Sequence, residues 1–462
     1  MTTATGTAFA GDITINELTL ICAGKIVDIS PYFLELNLYE DIFSSCMSGD
    51  IYMTDPNGLV KTLPIIGEEY LTIDFATPGS INNVRKTFRV YKVENKAFYT
   101  GDRIQSFQLH FSASEVFMDS LVKIYRTFSG PIDQVAQSIF QEYVQSPRSY
   151  EIKYDTNGNA DGVVESQAQT LLNATTTAYN TIKFNSNGWG AVKCLSWLAC
   201  KMIASESKTA DVLFFETNQN YYLSSISEII KYYKDNKVIA GDYYMNPKNI
   251  RDTGGSIRIS GASYTPPNIG REYKLVESMN ILGSFDTLDL TQKGFYASRQ
   301  IGFDIVNKTY KYNDYDYVDK FKEYPHLDNF PLFSAKQFRT PVESVTVSFS
   351  HPRLYDGITE NANERDDEVA QNRNSILMGL TCYFRLEICV PGRSDLECGS
   401  VIYFQMPDTG AKDASDSVVS SDHVDSNESG LYLISAIRHK ITKTRYLQTL
   451  EIVRDSVKDE YK

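Results

Sequence analysis

The sequence is poor in the residues from which catalytic and metal centres are usually built. It has 5 His, 7 Cys and 2 Trp among 462 residues. The histidines are His110, His326, His351, His423 and His439, and none stands in an HExxH motif or in a close Cys/His pairing of metal-site spacing. No GxSxG elbow, GxxxxGKS/T loop or GxGxxG run occurs, so no motif points to serine hydrolysis, P-loop chemistry or dinucleotide binding. The cysteines are Cys22, Cys46, Cys194, Cys200, Cys382, Cys389 and Cys398. Their odd number and lack of CxxC spacing read as reduced, mostly buried thiols of a reducing compartment. Apolar runs are all far shorter than a membrane span. "AFAG" at 8–11 follows no basic and apolar leader, which argues against a signal peptide. The expectation is a soluble chain made in the cytosol. Cations are also scarce, 45 Lys and Arg against 58 Asp and Glu, a net charge of −13. That balance argues against gripping the outside of a nucleic acid.

What is abundant is aromatic: 31 Tyr and 24 Phe, suited to half-buried strands and wide contact surfaces. A chain of this length holds about three domains. Short strands separated by Pro, Gly and Asp turns fill 13–111: "ITINELTLI", "YFLELNLY", "GDIYMTDP", "EYLTIDFATP", "FRVYKVE" and "RIQSFQLHF". Such spacing predicts a sandwich or barrel. At Ser112-Ala-Ser-Glu115 a capping-box pattern predicts a helix bearing Phe117, Leu121, Ile124 and Tyr125 on one face. A second helix starts at "SGPID" and carries Ile132, Val135, Ala136, Ile139, Phe140 and Tyr143. The Asn- and Thr-rich stretch 153–181 reads as loop, 187–203 as a third helix, and 211–226 as a hairpin. Strands return at 295–312 and 343–351, followed by a helix over 363–380 with Val369, Arg373, Ile376 and Leu377. "VPGRSDLECGSVIYFQMPD" (390–408) reads as the most regular β-hairpin in the chain, and 430–455 as a last one around Thr442–Arg445. The Ser- and Asp-rich 409–429 reads as a flexible loop.

Sites that tempt a chemical reading have plainer explanations. Cys194 and Cys200 do not share a helical face and read as core thiols. His110 and His439 sit in alternating strands and read as satisfied or solvent-facing. Asp413, Asp416, Asp422 and Asp425 lack the central Gly and closing Glu of an EF-hand loop. With 58 acidic residues, a pair of carboxylates at glycosidase spacing carries no information.

Several stretches together resemble the central hub proteins of contractile-tailed bacteriophage baseplates. They are "LYEDIFSSCMSGDIYMTDPNGLVKTLPIIGEEYLTIDFATP" (38–78), "YRTFSGPIDQVAQSIFQEYV" (125–144), "WGAVKCLSWLACKMIASESKTADVLFFETNQNYYLSSI" (189–226), "GFYASRQIGFDIVNKTYKY" (294–312) and the helix-to-"VPGRSDLECGSVIYFQMP" arrangement. The resemblance is dispersed over roughly 20–455 and rests on the order of the pieces. Its signature positions are Tyr39, Asp41, Pro64, Gly67, Glu68, Gly130, Pro131, Trp189, Gly294, Arg373, Gly392 and Gly399.

The resemblance implies an α+β, mostly β chain with two tail-tube-like antiparallel β-barrels. The first would occupy 1–115, the second 271–312 and 363–457. An α/β connecting domain would fill 116–270 and an insertion 313–362. It implies no enzyme, cofactor or metal, but a structural homotrimer forming a pseudo-hexameric ring around a DNA channel. Such a ring would seat a six-fold tail tube or tube-initiator protein above and a three-fold spike below. Baseplate wedge and tape-measure proteins are further candidate contacts, and DNA would pass without specific binding. The protein would then reside in the virion tail baseplate, having been made and assembled in the cytoplasm of the bacterial host. In that frame Gly392 and Gly399 would shape the turn of the 383–406 hairpin, and acidic residues along the channel would repel phosphates. The alternatives are a tail-associated peptidoglycan glycoside hydrolase and a host-glycan binding module.

Overall fold

The structure, a computed structural model, describes residues 9–22, 25–55, 58, 65–78, 80, 83–98, 104–144, 149–154, 160–166, 172–174, 181–245, 269–283, 286–304, 308–331, 345–349, 362–382, 384–406, 425 and 428–459. Seven strands open the chain: β1 (Thr14–Cys22), β2 (Lys25–Asp28), β3 (Phe33–Asp41), β4 (Ser48–Asp55), β5 (Tyr70–Ala76), β6 (Asn83–Phe98) and β7 (Gln105–Ala113). Their alternation is what the apolar period dictates. In β3, Leu36 and Leu38 go into the core while Glu35 and Tyr39 point the other way. Phe75, Phe88, Phe107 and Phe111 fill that core beside Leu71 and Leu109. Burying each such side chain stabilises by about 1.5–3 kcal/mol relative to leaving it exposed.

A mixed block follows, with helices α1 (Ser114–Leu121), α2 (Ile132–Ile139), α3 (Ala191–Ala199) and α4 (Ile226–Asn236). Its strands are β8 (Ile124–Gly130), β9 (Ser149–Tyr154), β10 (Ala160–Ser166), β11 (Leu172–Ala174), β12 (Ile182–Trp189), β13 (Val212–Glu216) and β14 (Tyr221–Ser225). Then come β15 (Gly241–Met245), β16 (Leu275–Val276) and β17 (Ser278–Ile281). A separate three-stranded sheet consists of β18 (Ala297–Asp304), β19 (Thr309–Asp316) and β21 (Val345–Phe349), backed by the long helix α5 (Ala362–Thr381). The short strand β20 (Phe330–Pro331) pairs with β26 (Ser456–Val457). The chain ends on β22 (Phe384–Pro391), β23 (Val401–Gln405), β24 (Gly430–Thr442) and β25 (Tyr446–Arg454) ahead of β26.

Fourteen strands form one mixed sheet, and its order contains a repeat. The first seven strands lie in the order β2-β1-β5-β6-β7-β4-β3. The second set lies in the order β16-β15-β23-β24-β25-β22-β17, so both modules arrange their strands 2-1-5-6-7-4-3 in chain order. The match extends to irregularities. A bulge interrupts β6 between Val90 and Lys92 and β24 between Ile434 and Ala436, each opposite the seventh strand of its module. The modules differ in one direction: β1 runs antiparallel to β5, whereas β15 runs parallel to β23. They join edge to edge, Ala436–Thr442 of β24 pairing antiparallel with Asp41–Glu35 of β3.

Several elements differ from the sequence expectation. Residues 390–408 are not a hairpin: β22 pairs with β17 and β25, and β23 pairs with β15 and β24, so two strands separate them. The helix expected through Tyr125 stops at Leu121, and Ile124–Gly130 becomes a strand paired with β12. Val122, Ile124 and Thr127 are β-branched and favour extended backbone. Ile124 and Phe128 turn inward, leaving Leu121 72% and Tyr125 80% exposed. The capping box does not form, because the Ser112 hydroxyl donates to the Met47 carbonyl (3.2 Å) inside the sheet. Within 153–181, expected as loop, the described residues pair as β9–β10 and β11–β14. β15 lies upstream of the expected 271 boundary yet belongs to the large sheet, while the 297–316 hairpin lies outside it. Cys194 is buried as expected, whereas Cys200 is exposed. The α2 stripe, the 212–225 hairpin and the last hairpin form as the sequence predicts.

Candidate functional surface

The register of the large sheet places one polar face across both modules. On it stand Arg385, Glu387 and Cys389 of β22, Thr449 and Glu451 of β25, and Ala436, Arg438 and Lys440 of β24. The face continues without a break through Glu35, Asn37, Tyr39 and Asp41 of β3, then Asp50 and Tyr52 of β4. Gln108 and His110 of β7 and Arg89, Lys92 and Glu94 of β6 complete it. Leucines, isoleucines and phenylalanines at the alternate positions form the cores behind it.

This face satisfies itself. The Asp50 carboxylate, 7% exposed, accepts from Tyr39 Oη (2.9 Å), Asn37 Nδ2 (3.1 Å) and Gln108 Nε2 (3.1 Å). Burial, reinforced by the bond to Asp50, pushes the Tyr39 phenol up to about 12. Across the module seam Arg438 donates to Asn37 Oδ1 (3.0 Å) and Glu35 Oε1 (3.3 Å), and Lys440 lies 3.1 Å from Glu35. Burial opposes ionisation of Glu35, but these two cations outweigh it and hold its carboxyl below the ordinary range. Arg385 pairs with Glu451, Lys92 with Glu94, and Arg89 lies over the Tyr70 and Phe117 rings. Among the named residues six carboxylates face five cations, so the acidic excess of the chain is not concentrated here. The face itself is close to charge balance. Its cations are engaged by neighbours, which leaves few to hold phosphates. Asp50→Ala strands three donors and is expected to cost about 2–3 kcal/mol. Denaturant unfolding reads this, and an unchanged midpoint would show that water replaces the carboxylate.

Behind the face, a buried polar relay locks the modules together. Glu40 Oε1 lies 3.1 Å from His439 Nε2, and Glu40 Oε2 accepts from the Cys398 amide at 3.2 Å. His439 Nδ1 lies 2.7 Å from Tyr446 Oη. The 392–400 connection docks on this seam. Ser394 and Thr77 exchange amide-to-hydroxyl bonds of 2.9 and 3.2 Å, tying the connection to the first module. Gly392 is required by close approach, since a Cβ there would lie 2.3 Å from the Tyr446 ring. Gly399 has φ +82° and its amide donates to the Ile434 carbonyl at 2.8 Å. The stretch that reads as a hairpin thus serves as the strap across the seam.

The signature positions are scattered. Tyr39 and Asp41 lie on the polar face, and Asp41 accepts from the Phe43 amide at 2.8 Å. Gly67 (φ +96°) sits in a turn whose amides donate to Glu69, with Ile66 N at 2.6 Å and Gly67 N at 3.0 Å. The buried residue of the Glu68-Glu69 pair is therefore Glu69, while Glu68 is exposed. Gly130 ends β8, and Pro131 caps α2. Trp189 packs on Trp197 (5.8 Å) under Lys193. Gly294 follows the short helix Thr287–Gln292, its amide donating to the Thr291 carbonyl. Arg373 of α5 donates to the Val212 carbonyl (2.6 Å), tying α5 to the mixed block. Pro64, His351, His423, Asp413, Asp416 and Asp422 lie outside the described residues. Sequence reasoning passed over Asn37, Asp50, Arg438 and the Glu40–His439 pair. Period-2 polarity in "ELNLYED" and "AIRHKI" marks a polar strand face but not its partner some 400 positions away.

No enzyme-like cleft emerges from the described residues. A cavity of about 510 Å³ at the seam is lined by Thr77, Asp242, Tyr243, Tyr273, Lys274, Arg393 and Asp395. Both of its carboxylates are ion-paired, Asp242 with Lys274 (3.4 Å) and Asp395 with Arg393 (2.7 Å). Among the described residues no three His, Cys, Asp or Glu are grouped to hold a metal ion.

No family model and no curated protein matches the chain. Among solved structures, the 43 kDa tail protein of prophage MuSo2 from Shewanella oneidensis is similar, with a TM-score of 0.50 at 10% identity over 95% of this chain and 98% of that one. The tail protein from Neisseria meningitidis MC58 gives 0.48 at 10% identity over 96% and 97%. An E. coli type VI secretion component, c3393, gives 0.42 at 9% over 98% and 79%. The chain has the fold of the prophage tail protein, mostly β with a large mixed sheet.

Proposed function

We propose that the chain is a non-enzymatic structural subunit of a phage tail, the central hub of its baseplate. In this reading three copies bring six modules into one ring, which adapts a six-fold tube to a three-fold spike and encloses the channel for DNA. The observation that carries it is the β24–β3 pairing, which joins two modules of identical strand order edge to edge into one sheet. A subunit holding two copies of one module is the economical way to build a six-module ring from three chains. The self-paired polar face supports a passage wall that neither adheres to apolar groups nor offers free cations to phosphates. The twelve signature positions are read as conformational and packing residues of this scaffold. Baseplate residence, the spike and tube partners, and the barrel boundaries belong to the same proposal.

The test is the mass of the purified protein by light scattering, alone and mixed with the spike of the same tail. Three chains alone, or a three-to-three complex on mixing, are expected. A chain that stays monomeric under both conditions overturns the hub.

A further inference from the structure

The repeat contains a mismatch between its two halves. In the second module β24 is flanked on one side by β25 and on the other by two strands in succession. Gly430–Leu433 pairs with β23, and Ala436–Thr442 pairs with β3 of the first module. In the first module β6 is likewise flanked by β7 along one side, and Asn83–Arg89 pairs with β5 on the other. The remainder of that second side, residues 92–98, pairs with nothing among the described residues. The opposite end has the complementary gap. β3 lies between β4 and β24, while its counterpart β17 pairs with β22 alone among the described residues.

The matching bulges set the equivalence residue by residue. Glu451 and His110 follow the two bulges on the seventh strands, Glu387 and Asp50 lie opposite them, and Asn280 and Asn37 come next. Both modules thus place an Asn beside a carboxylate at the same point of the outer strand. One residue on, Leu38 corresponds to Ile281. Leu38 is fully buried, 0% exposed, whereas Ile281 is 54% exposed and Leu282 beside it 36%. A core position left open at an unpaired strand edge marks a missing neighbour.

We infer that residues 93–98 of β6 in one copy pair antiparallel with residues 278–283 at β17 in a second copy, repeating between chains the β24–β3 joint within each chain. Transferring the register sets Leu282 opposite Glu94, as Tyr39 is opposite Arg438, and, past the extra residue that β6 carries between Glu94 and Ala97, Asn280 opposite Ala97, as Asn37 is opposite Lys440. Each copy then offers one edge and uses the other, so the contact is heterologous and closes a ring rather than a two-fold dimer. The polar face becomes continuous around that ring, and Ile281 is covered. The inference rests on the trimeric reading and names the strands that build it.

Two variants test it on the full-length chain. Ile281→Lys with Leu282→Lys replaces exposed side chains, so the fold should survive and the mass should fall to about one-third. For covalent capture, Glu94→Cys with Leu282→Cys places thiols at directly opposed strand positions, within disulfide reach. Oxidation should then give dimers and trimers on a denaturing gel, absent from either single variant. Failure of the double lysine to change a trimeric mass, or cross-links only within a chain, overturns the edge pairing and leaves the trimer standing. A wild-type chain that is monomeric alone and with spike removes both. If the lysine variant fails to fold, the cross-link alone decides.

Discussion

Lys86→Met is expected to lower the unfolding free energy by about 3–5 kcal/mol, the cost of leaving a buried charge without its partner. Lys86 stands on the core side of β6 and reaches out of the first module into the mixed block. Its Nζ lies 2.5 Å from Glu216 Oε1, 2.7 Å from the Thr217 carbonyl and 3.2 Å from Met47 Sδ. The Glu216 side chain is 2% exposed, and its other oxygen accepts from the Met47 amide at 2.7 Å. Removing the ammonium leaves that carboxylate with a single N–H and with Glu115 close enough to repel it. The double variant Lys86→Met with Glu216→Gln should recover much of the loss, because the unpaired charge and not the missing contact dominates. Denaturant unfolding followed by near-UV ellipticity would read both. Wild-type stability in the single variant would sink the argument, and a double variant no better than the single would shift the cost to packing.

How much of this was legible in the sequence follows from the range of each interaction. Strand alternation in 13–111 and the α2 stripe depend on neighbours within a turn or two, and both are found as read. Strand pairing depends on what the rest of the chain supplies. β22 and β23 look like a hairpin because nine intervening residues carry Gly, Arg and Asp, but β25 and β24 are written later and insert between them. Residue similarity alone could not establish the repeat, for a related reason. The halves share little more than an Asn beside a carboxylate, at Asn37–Asp50 and Asn280–Glu387, while their shared order and bulge positions exist only once the strands have paired. Glu68 and Glu69 show the finest grain of the problem. Two adjacent glutamates are equivalent by type, and only the turn at Gly67 decides which one folds back to accept two amides. The polar face was half legible: its residue types follow period 2, but its self-pairing joins strands 400 positions apart.

Stability should fall as pH rises from about 5 to 7, opposite to the usual behaviour of paired carboxylates. Two glutamates at the junction of the modules and the mixed block cause it. Burial, then repulsion by Glu216, raises the Glu115 carboxyl from 4.5 to about 7, with Lys86 offsetting only part. Burial also raises Glu397 to about 7, where the Thr217 hydroxyl (2.7 Å) lowers it and Glu40 raises it. Between 4.5 and 7 the folded chain holds protons that the unfolded chain has released, so each pH unit upward costs stability, and above 7 the loss is complete. For Glu115 the total is about 3 kcal/mol, and for the less enclosed Glu397 somewhat less. Asp455 bounds the window below. Burial alone would raise it, but the His326 imidazole at 2.7 Å holds its carboxyl under 3.8, so its contribution is lost only on further acidification. Thermal melts across pH should therefore peak near 5. Glu115→Gln, a neutral mimic of the protonated side chain, should flatten the slope toward pH 7 and raise stability there. A wild-type profile level between 5 and 7 would show that these carboxyls stay ionised in the folded chain. A Glu115→Gln variant with the original slope would move the effect to Glu397, which the corresponding Glu397→Gln change would then have to remove.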